Sequence, residues 1–242
     1  MDDPFYLSKH SSLQAFFSAS NDHSPKGTID FPIRELCRTV NLHPDYYTLS
    51  TCSGRISLFE SESTNADSTT DATNGKGSGR WLLSTHSTVT LPNLKAAIKT
   101  SSPTNTATGR TSTLLFKHEP ALLHISCRTP IAAEHLLKAA LGSGFRESGL
   151  TTSSHKSQSM LAIRGMGLSL ATPIYADLLS TPETDTWLER LLSLYNDKFR
   201  ANEQRLIRLQ RNIELLLQPK APVSKRAKRG GKWRASSNPT RA

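Results

Sequence analysis

The hexapeptide Ser50-Thr51-Cys52-Ser53-Gly54-Arg55 sets three hydroxyls, a thiol, a glycine and a guanidinium side by side. A stretch built this way can aim hydroxyls and consecutive backbone N–H groups at one small concavity, which suits an anionic or highly polar ligand. Gly54 opens backbone conformations closed to other residues, and Arg55 supplies a planar fork for a carboxylate or phosphate. The flanking runs Tyr46–Thr51 and Arg55–Glu60 read as strands, so the hexapeptide is expected to form a turn at their junction. The plain alternative is a hairpin turn that is merely polar.

Three distant segments share this character. Asp22–Asp30 joins two helical patterns, Gly79–His86 ends a strand on a histidine, and Phe116–Arg128 places His124 within a strand. In this order and at these separations, together with Gly144–Gly149 and Asn196–Asn202, they resemble the tRNA wybutosine-synthesizing methyltransferase family, the third enzyme of that pathway. The resemblance runs from about Lys9 to about Leu209. Thr51, Ser87 and Ala121 depart from the family's usual serine, acidic residue and phenylalanine. Cys52, Gly54, Arg55, Trp81 and His124 are retained.

The resemblance implies S-adenosylmethionine-dependent methylation of a ring nitrogen, N4 of the 4-demethylwyosine-type base next to the anticodon of phenylalanine tRNA. Transfer of this kind is an in-line displacement, governed mainly by positioning. Gly142-Ser143-Gly144 is no dinucleotide fingerprint, because it lacks the third glycine and follows a helix rather than a strand. The cofactor therefore needs another cradle.

With the resemblance, Arg55 is expected to pair the methionine carboxylate, with Ser50, Thr51, Cys52 and Ser53 lining the pocket. Trp81 is expected to stack on the adenine or the target base. The alternatives are an arginine that bridges to a carboxylate such as Asp30, and a tryptophan in the core. His86 and His124 are proton-transfer candidates by their reference pKa; His86 is placed with Arg55 in catalysis and His124 on the substrate side. Lys26, Asp30 and Arg128 complete the expected substrate contacts, although Asp30 also suits a helix N-cap. Two other classes stay open. One is a non-catalytic RNA-binding module whose turn recognises phosphate; the other is a hydrolase using Cys52 and His86.

At 242 residues the chain can hold one domain with a substantial core. Its three cysteines lack paired spacing, which argues against a disulfide framework. Neither Cys-x-x-Cys nor His-x-x-x-His occurs, so spacing offers no support for a metal. No run is apolar for long enough to span a bilayer. The acidic start Met1-Asp2-Asp3-Pro4 is unlike a signal peptide, and a cytoplasmic monomer is expected. The net charge of +10 is uneven: eight basic residues and no acidic one lie from Lys220 onward. The basicity therefore belongs to the tail, and the remainder is close to neutral.

Helices are expected over Phe5–Ala19, Phe31–Leu42, Leu91–Thr100, Pro130–Leu141 (capped by Gly142) and Thr186–Leu217. Leu188, Tyr195, Asn202, Leu209 and Leu216 repeat every seven residues in the last of these, a core-facing or coiled-coil seam interrupted by Asn202. Further strands are expected at Trp81–Thr85, Ser112–Lys117, Ala121–Cys127, Gly144–Leu150 and Ser159–Arg164. The irregular alternation points to an α+β fold over 1–217 with a mixed or antiparallel sheet, not a Rossmann fold. Polar segments near 61–78, 101–111 and 151–158 are expected to be mobile inserts.

Residues 218–242 are expected to be a disordered basic tail that strengthens tRNA binding through phosphate contacts. Lys225-Arg226-Ala227-Lys228-Arg229 also resembles a nuclear import signal. Deleting Lys220–Ala242 is expected to weaken tRNA affinity and flatten its salt dependence, with catalysis at saturating tRNA retained. Binding measured across a salt series checks this, and an unchanged slope would assign the cluster to import or solubility.

Overall fold

The computed structural model describes residues 3–17, 29–64, 79–101, 110–152, 158–174 and 182–218. Lys26, the centres of the three polar inserts and the basic tail lie outside them. The elements in order are α1 (Pro4–Phe17), a 3-10 turn (Phe31–Ile33), α2 (Arg34–Leu42), β1 (Tyr46–Thr64), β2 (Gly79–Thr85), α3 (Leu91–Lys99) and β3 (Arg110–Cys127). They continue with α4 (Pro130–Gly142), β4 (Gly149–Thr152), β5 (Ser159–Arg164), a second 3-10 turn (Met166–Leu168), β6 (Leu170–Ile174) and α5 (Pro182–Leu217). The sheet order is β2-β1-β3-β5-β4, with β6 also on β3, and every pairing is antiparallel. The α+β expectation holds, with the antiparallel option realised.

The expected turn at Ser50–Arg55 is absent. β1 runs through it as one 19-residue strand, paired with β3 from Tyr46↔Cys127 to Thr64↔Arg110. The two strands expected at 112–117 and 121–127 are likewise one, continuous through Pro120. Proline is tolerated there because β5 begins to pair only at Leu122 and β6 stops at His118. The missing N–H therefore interrupts no ladder on that side.

Gly54 and Pro120 face each other, and the sheet changes phase at this point. Buried side chains of β3 alternate at Leu114, Phe116 and His118 before it, and at Ala121, Leu123, Ile125 and Cys127 after it, with Ser126 buried as well. A strict period of two would have exposed one of the two sets. The shift instead divides the core in two. One cluster joins α2, α4, β5 and the second half of β3 to Leu206, Leu209 and Ile213. The other joins α3, β6 and the first half of β3 to Leu188, Leu192, Tyr195 and Phe199.

Both clusters rest on α5. Its 36 residues extend about 54 Å at 1.5 Å per residue, comparable to the long strands it crosses. The heptad is a core-facing seam: Leu188, Tyr195, Asn202 and Leu209 are all fully buried. The helix starts four residues before the expected boundary, with Glu183 and Asp185 in its first turn, where acidic side chains complement the helix dipole.

Other differences are local. Gly144, not Gly142, takes the left-handed conformation that ends α4, with φ +97°. Phe145 N–H donates to Ala140 O and Gly144 N–H to Leu141 O, the closing bonds of a Schellman-type end. The strand expected from Gly144 begins only at Gly149, because residues 144–148 complete this turn. β6, which contains Pro173, was not expected; a proline inside a short run hides an edge strand. No described helix is long and apolar enough to cross a membrane.

Asn202 sits where the phase changes. Its Nδ2 donates to Ser53 O (2.8 Å) and its Oδ1 accepts from Ala121 N (2.8 Å). A helix side chain thus replaces the ladder bonds that β1 and β3 fail to make there. Gly54 is required at the same point: its φ is +94°, and a Cβ would lie 2.8 Å from Asn202 Nδ2. Replacing Asn202 by alanine leaves two buried backbone groups unpaired at about 1–3 kcal/mol each. The expected loss is about 2–6 kcal/mol, measurable by urea denaturation.

Candidate functional site

β2 pairs with β1 only from Ile56 to Ser61. Upstream of Ile56, no strand among the described residues pairs with the β2-side edge of β1, and the polar hexapeptide lies in this gap. Two side chains take the missing strand's place. Asp30, just before the first 3-10 turn, accepts through Oδ2 from Ser53 N (2.7 Å) and Ser53 Oγ (3.1 Å). His86, the first residue after β2, places Nδ1 2.7 Å from Gly54 O and 3.1 Å from Ser53 Oγ. Its Nε2 lies 3.4 Å from Asp30 Oδ1. Asp30 does occupy the N-cap position, but its side chain makes no cap bond, because its carboxylate is turned to β1.

Cys52 joins this group. The Asp30, Cys52 and His86 ligand atoms all lie within 4.8 Å of one another. Burial pushes the Cys52 thiol above its ordinary pKa, and nearby Asp30 pushes the same way against a bond from the Gly54 backbone. A protonated thiol of this kind is a poor nucleophile, which counts against the hydrolase alternative. Cys37 and Cys127 are buried and pushed up to about 12.

A second group lies on the sheet face opposite the two core clusters. Arg55 donates through Nε to Glu119 Oε2 at 2.6 Å, across the strand pair. That bond is the largest cause of its raised pKa. The guanidinium carbon sits 5.0 Å from the Trp81 ring centre, and Trp81 is 48% exposed. Phe59 packs on Trp81 at 4.8 Å, and Lys117 Nζ lies 5.3 Å and 5.9 Å from the two rings. Arg55 therefore has the carboxylate partner that the structural alternative anticipated, although it is Glu119 and not Asp30.

The remaining expected residues divide. Ser50 Oγ and His124 Nδ1 form a pair at 2.8 Å, in register across the strands, and burial followed by Arg164 lowers the His124 pKa. Thr51 turns inward, where its hydroxyl meets the Cys37 thiol. Ser53 is buried, its hydroxyl engaged by Asp30 and His86. Arg128, the first residue after β3, lies nine residues from Glu119, about 30 Å at 3.3 Å per residue. There it holds Asp3 (2.9 Å) and Asp45 (3.6 Å) and covers Tyr6, clamping α1 to the sheet end. It stands apart from the other candidates. Lys26 is outside the described residues.

Glu119, Phe59 and Lys117 were not singled out from the sequence, because only the strand register brings them to Arg55 and Trp81. Asn196 opens a stretch that carries the family resemblance, but its role shows only in the fold: its amide bonds both Val89 N and Val89 O (2.9 Å each), fixing the segment that follows His86. The thiol environment makes a measurable demand. Alkylation of the native protein should modify Cys52 ahead of Cys37 and Cys127, with a rate still rising above the ordinary thiol pKa. A plateau below neutral pH, followed by mass spectrometry of the labelled peptide, would identify a thiolate instead.

Residues 7–215 match the family model Methyltransferase TYW3. Over 230 residues the chain is 34% identical to tRNA wybutosine-synthesizing protein 3 of Saccharomyces cerevisiae, covering 87% of this chain and 81% of that protein. The Mus musculus homolog is 32% identical over 198 residues, 80% of this chain and 68% of the relative. An Arabidopsis thaliana tRNA wybutosine-synthesizing protein 2/3/4 is 33% identical over 83% of this chain, which spans only 20% of that longer protein. Among solved structures, a Pyrococcus horikoshii protein superposes with a TM-score of 0.66 at 25% identity, covering 86% of this chain and 95% of its own. From a sequence motif, a fold and a family match that spans nearly all the described elements, the chain belongs to the TYW3 methyltransferase family of tRNA wybutosine synthesis.

Proposed function

We propose that this chain transfers a methyl group from S-adenosylmethionine to N4 of the 4-demethylwyosine-type base beside the anticodon of phenylalanine tRNA. That it is a tRNA methyltransferase follows from its family; the donor, the nitrogen and the tRNA are the proposal. The observation that carries it is the family match over residues 7–215, which encloses the two adjoining polar groups on β1.

The donor set suits this cofactor. Arg55 is a guanidinium on an open sheet face, bonded through Nε rather than through the terminal amines of its fork, and an arginine fork matches a carboxylate. Trp81 offers a half-exposed indole for an adenine, and Ser50 adds an exposed hydroxyl. Bound there, S-adenosylmethionine supplies an electrophilic methyl whose carbon–sulfur bond breaks as the nitrogen–carbon bond forms.

The protein's part is to hold and orient. Asn202 and Gly54 set the path of β1, and Asp30 and His86 secure its edge. His86 meets Gly54 O through Nδ1 and lies beside Asp30, so its role is to position β1. His124, beside Ser50 on the same strands, and Lys117, near Trp81, are assigned to the tRNA side. Thr51 and Ser53 support the site from beneath, and Arg128 is not included.

Arg55→Ala tests the assignment. An exposed ion pair contributes about 0–1 kcal/mol to stability, so the variant should stay folded. Loss of a charge-assisted bond worth about 1.5–3 kcal/mol should weaken cofactor binding by about 10- to 100-fold and abolish methyl transfer under working conditions. Calorimetry with S-adenosylmethionine, with and without substrate tRNA, and a radiolabelled-methyl assay check this. Absence of cofactor binding even with tRNA present would return the chain to the non-catalytic RNA-binding reading.

A further inference from the structure

We propose that Asp30, Cys52 and His86 form a binding site for a divalent transition-metal ion of the zinc type. The inference goes beyond methyl transfer and rests on side-chain geometry. The three residues come from three separate segments: the approach to the first 3-10 turn, the middle of β1 and the end of β2. Their ligand atoms, one carboxylate oxygen, one sulfur and one imidazole nitrogen, lie within 4.8 Å of one another. That oxygen–sulfur–nitrogen set suits an ion of intermediate softness.

The spacing agrees with a tetrahedral ion. Bonds of about 2.3 Å to sulfur and 2.0–2.2 Å to nitrogen or oxygen place ligand atoms about 3.3–3.6 Å apart. His86 Nε2 and Asp30 Oδ1 are already 3.4 Å apart. From the 4.8 Å limit the sulfur needs to close by up to about 1.2 Å to reach about 3.6 Å, a change within reach of side-chain rotation.

The outer partners agree as well. A metal-binding histidine donates its other ring N–H to a carbonyl or carboxylate, which fixes the tautomer and frees the second nitrogen for the ion. His86 Nδ1 faces Gly54 O at 2.7 Å, leaving Nε2 toward Asp30. Asp30 uses Oδ2 for Ser53 N and Ser53 Oγ, leaving Oδ1 on the inner side. Two of the three ligands thus have one atom oriented by β1 and one turned to the shared space.

His86 Nε2 and Asp30 Oδ1 face each other at 3.4 Å. A cation at that point satisfies the nitrogen, the oxygen and the sulfur at once. Cys52 then gives its thiol proton to solvent, as a metal-bound thiolate requires. Three protein ligands leave one tetrahedral position for water or a substrate atom, whereas structural zinc sites are closed by four.

The test uses the full chain after treatment with chelator. Zinc chloride titrated in calorimetry should bind with one-to-one stoichiometry and release one proton, read from buffers of different ionisation enthalpy. Cobalt(II) in its place should give a sulfur-to-metal charge-transfer band and the absorption of a tetrahedral site. Loss of an outer partner alone costs about 10–100-fold in affinity, so Cys52→Ser and His86→Gln should each weaken zinc binding by at least about 100-fold. His10→Ala, at an exposed histidine of α1, should change nothing, and melting curves in chelator check that each variant folds. Absence of the thiolate band in the native protein, or zinc affinity that survives Cys52→Ser, overturns the site, and the native spectrum decides even if a variant unfolds. A chain that methylates tRNA but binds no zinc loses the metal site alone. One that binds zinc through these residues but methylates no tRNA keeps the site and loses the methyl-transfer reading.

Discussion

One amide holds two discontinuities together. At the point where β1 and β3 change phase, Asn202 reaches from α5 to Ser53 O and Ala121 N. Both backbone groups are removed from water, and a buried unpaired group costs about as much as several surface contacts contribute. The amide has one donor end and one acceptor end, which matches one free C=O and one free N–H. A hydrophobic residue at this heptad position would pack but would orphan both. The interruption of the apolar seam is thus the price of a sheet whose two halves face their helices in different phase.

The same discontinuity explains why the polar residues gather where they do. Gly54 can adopt φ +94°, which kinks β1 and turns Arg55 to the open face while Ser53 stays buried. β2 ends as the kink is reached, so the edge of β1 is left for Asp30 and His86 to cover. An uncovered strand edge is a template for unwanted pairing. Here the edge is satisfied by side chains that carry chemistry of their own, and backbone satisfaction and site construction are one arrangement.

The open face is organised by cross-strand pairing rather than by local sequence. Arg55 and Glu119 are direct partners in register, and Trp81 arrives opposite Phe59 because the β1–β2 register shifts between Leu58 and Phe59, passing over Leu82. The arginine is held by a carboxylate and an aromatic ring together. It is positioned without being buried, as a residue that meets ligand from solvent needs to be.

Much was legible in the sequence because it depends on local periodicity and composition. The seven-residue repeat from Leu188 identified α5 and its buried face, the irregular alternation of strands and helices identified an α+β fold, and the ordered motifs identified the family. The hexapeptide was marked as chemically loaded, yet its shape was misjudged: polar residues and a glycine spell a turn locally, and only pairing with the unbroken β3 shows a kinked strand. Asp30 read as a helix cap for the same reason, since nothing near it in sequence reveals that Ser53, 23 residues on, offers a better-placed N–H. The absence of a metal was expected from spacing motifs, which detect ligands close together in sequence, whereas Asp30, Cys52 and His86 meet only through the fold. The sequence by itself determined the elements, their apolar faces and the kinship, because these follow from near neighbours along the chain. Which polar groups face one another was decided by tertiary structure alone, because register and the single phase shift at Gly54 and Pro120 are set by long-range pairing and burial.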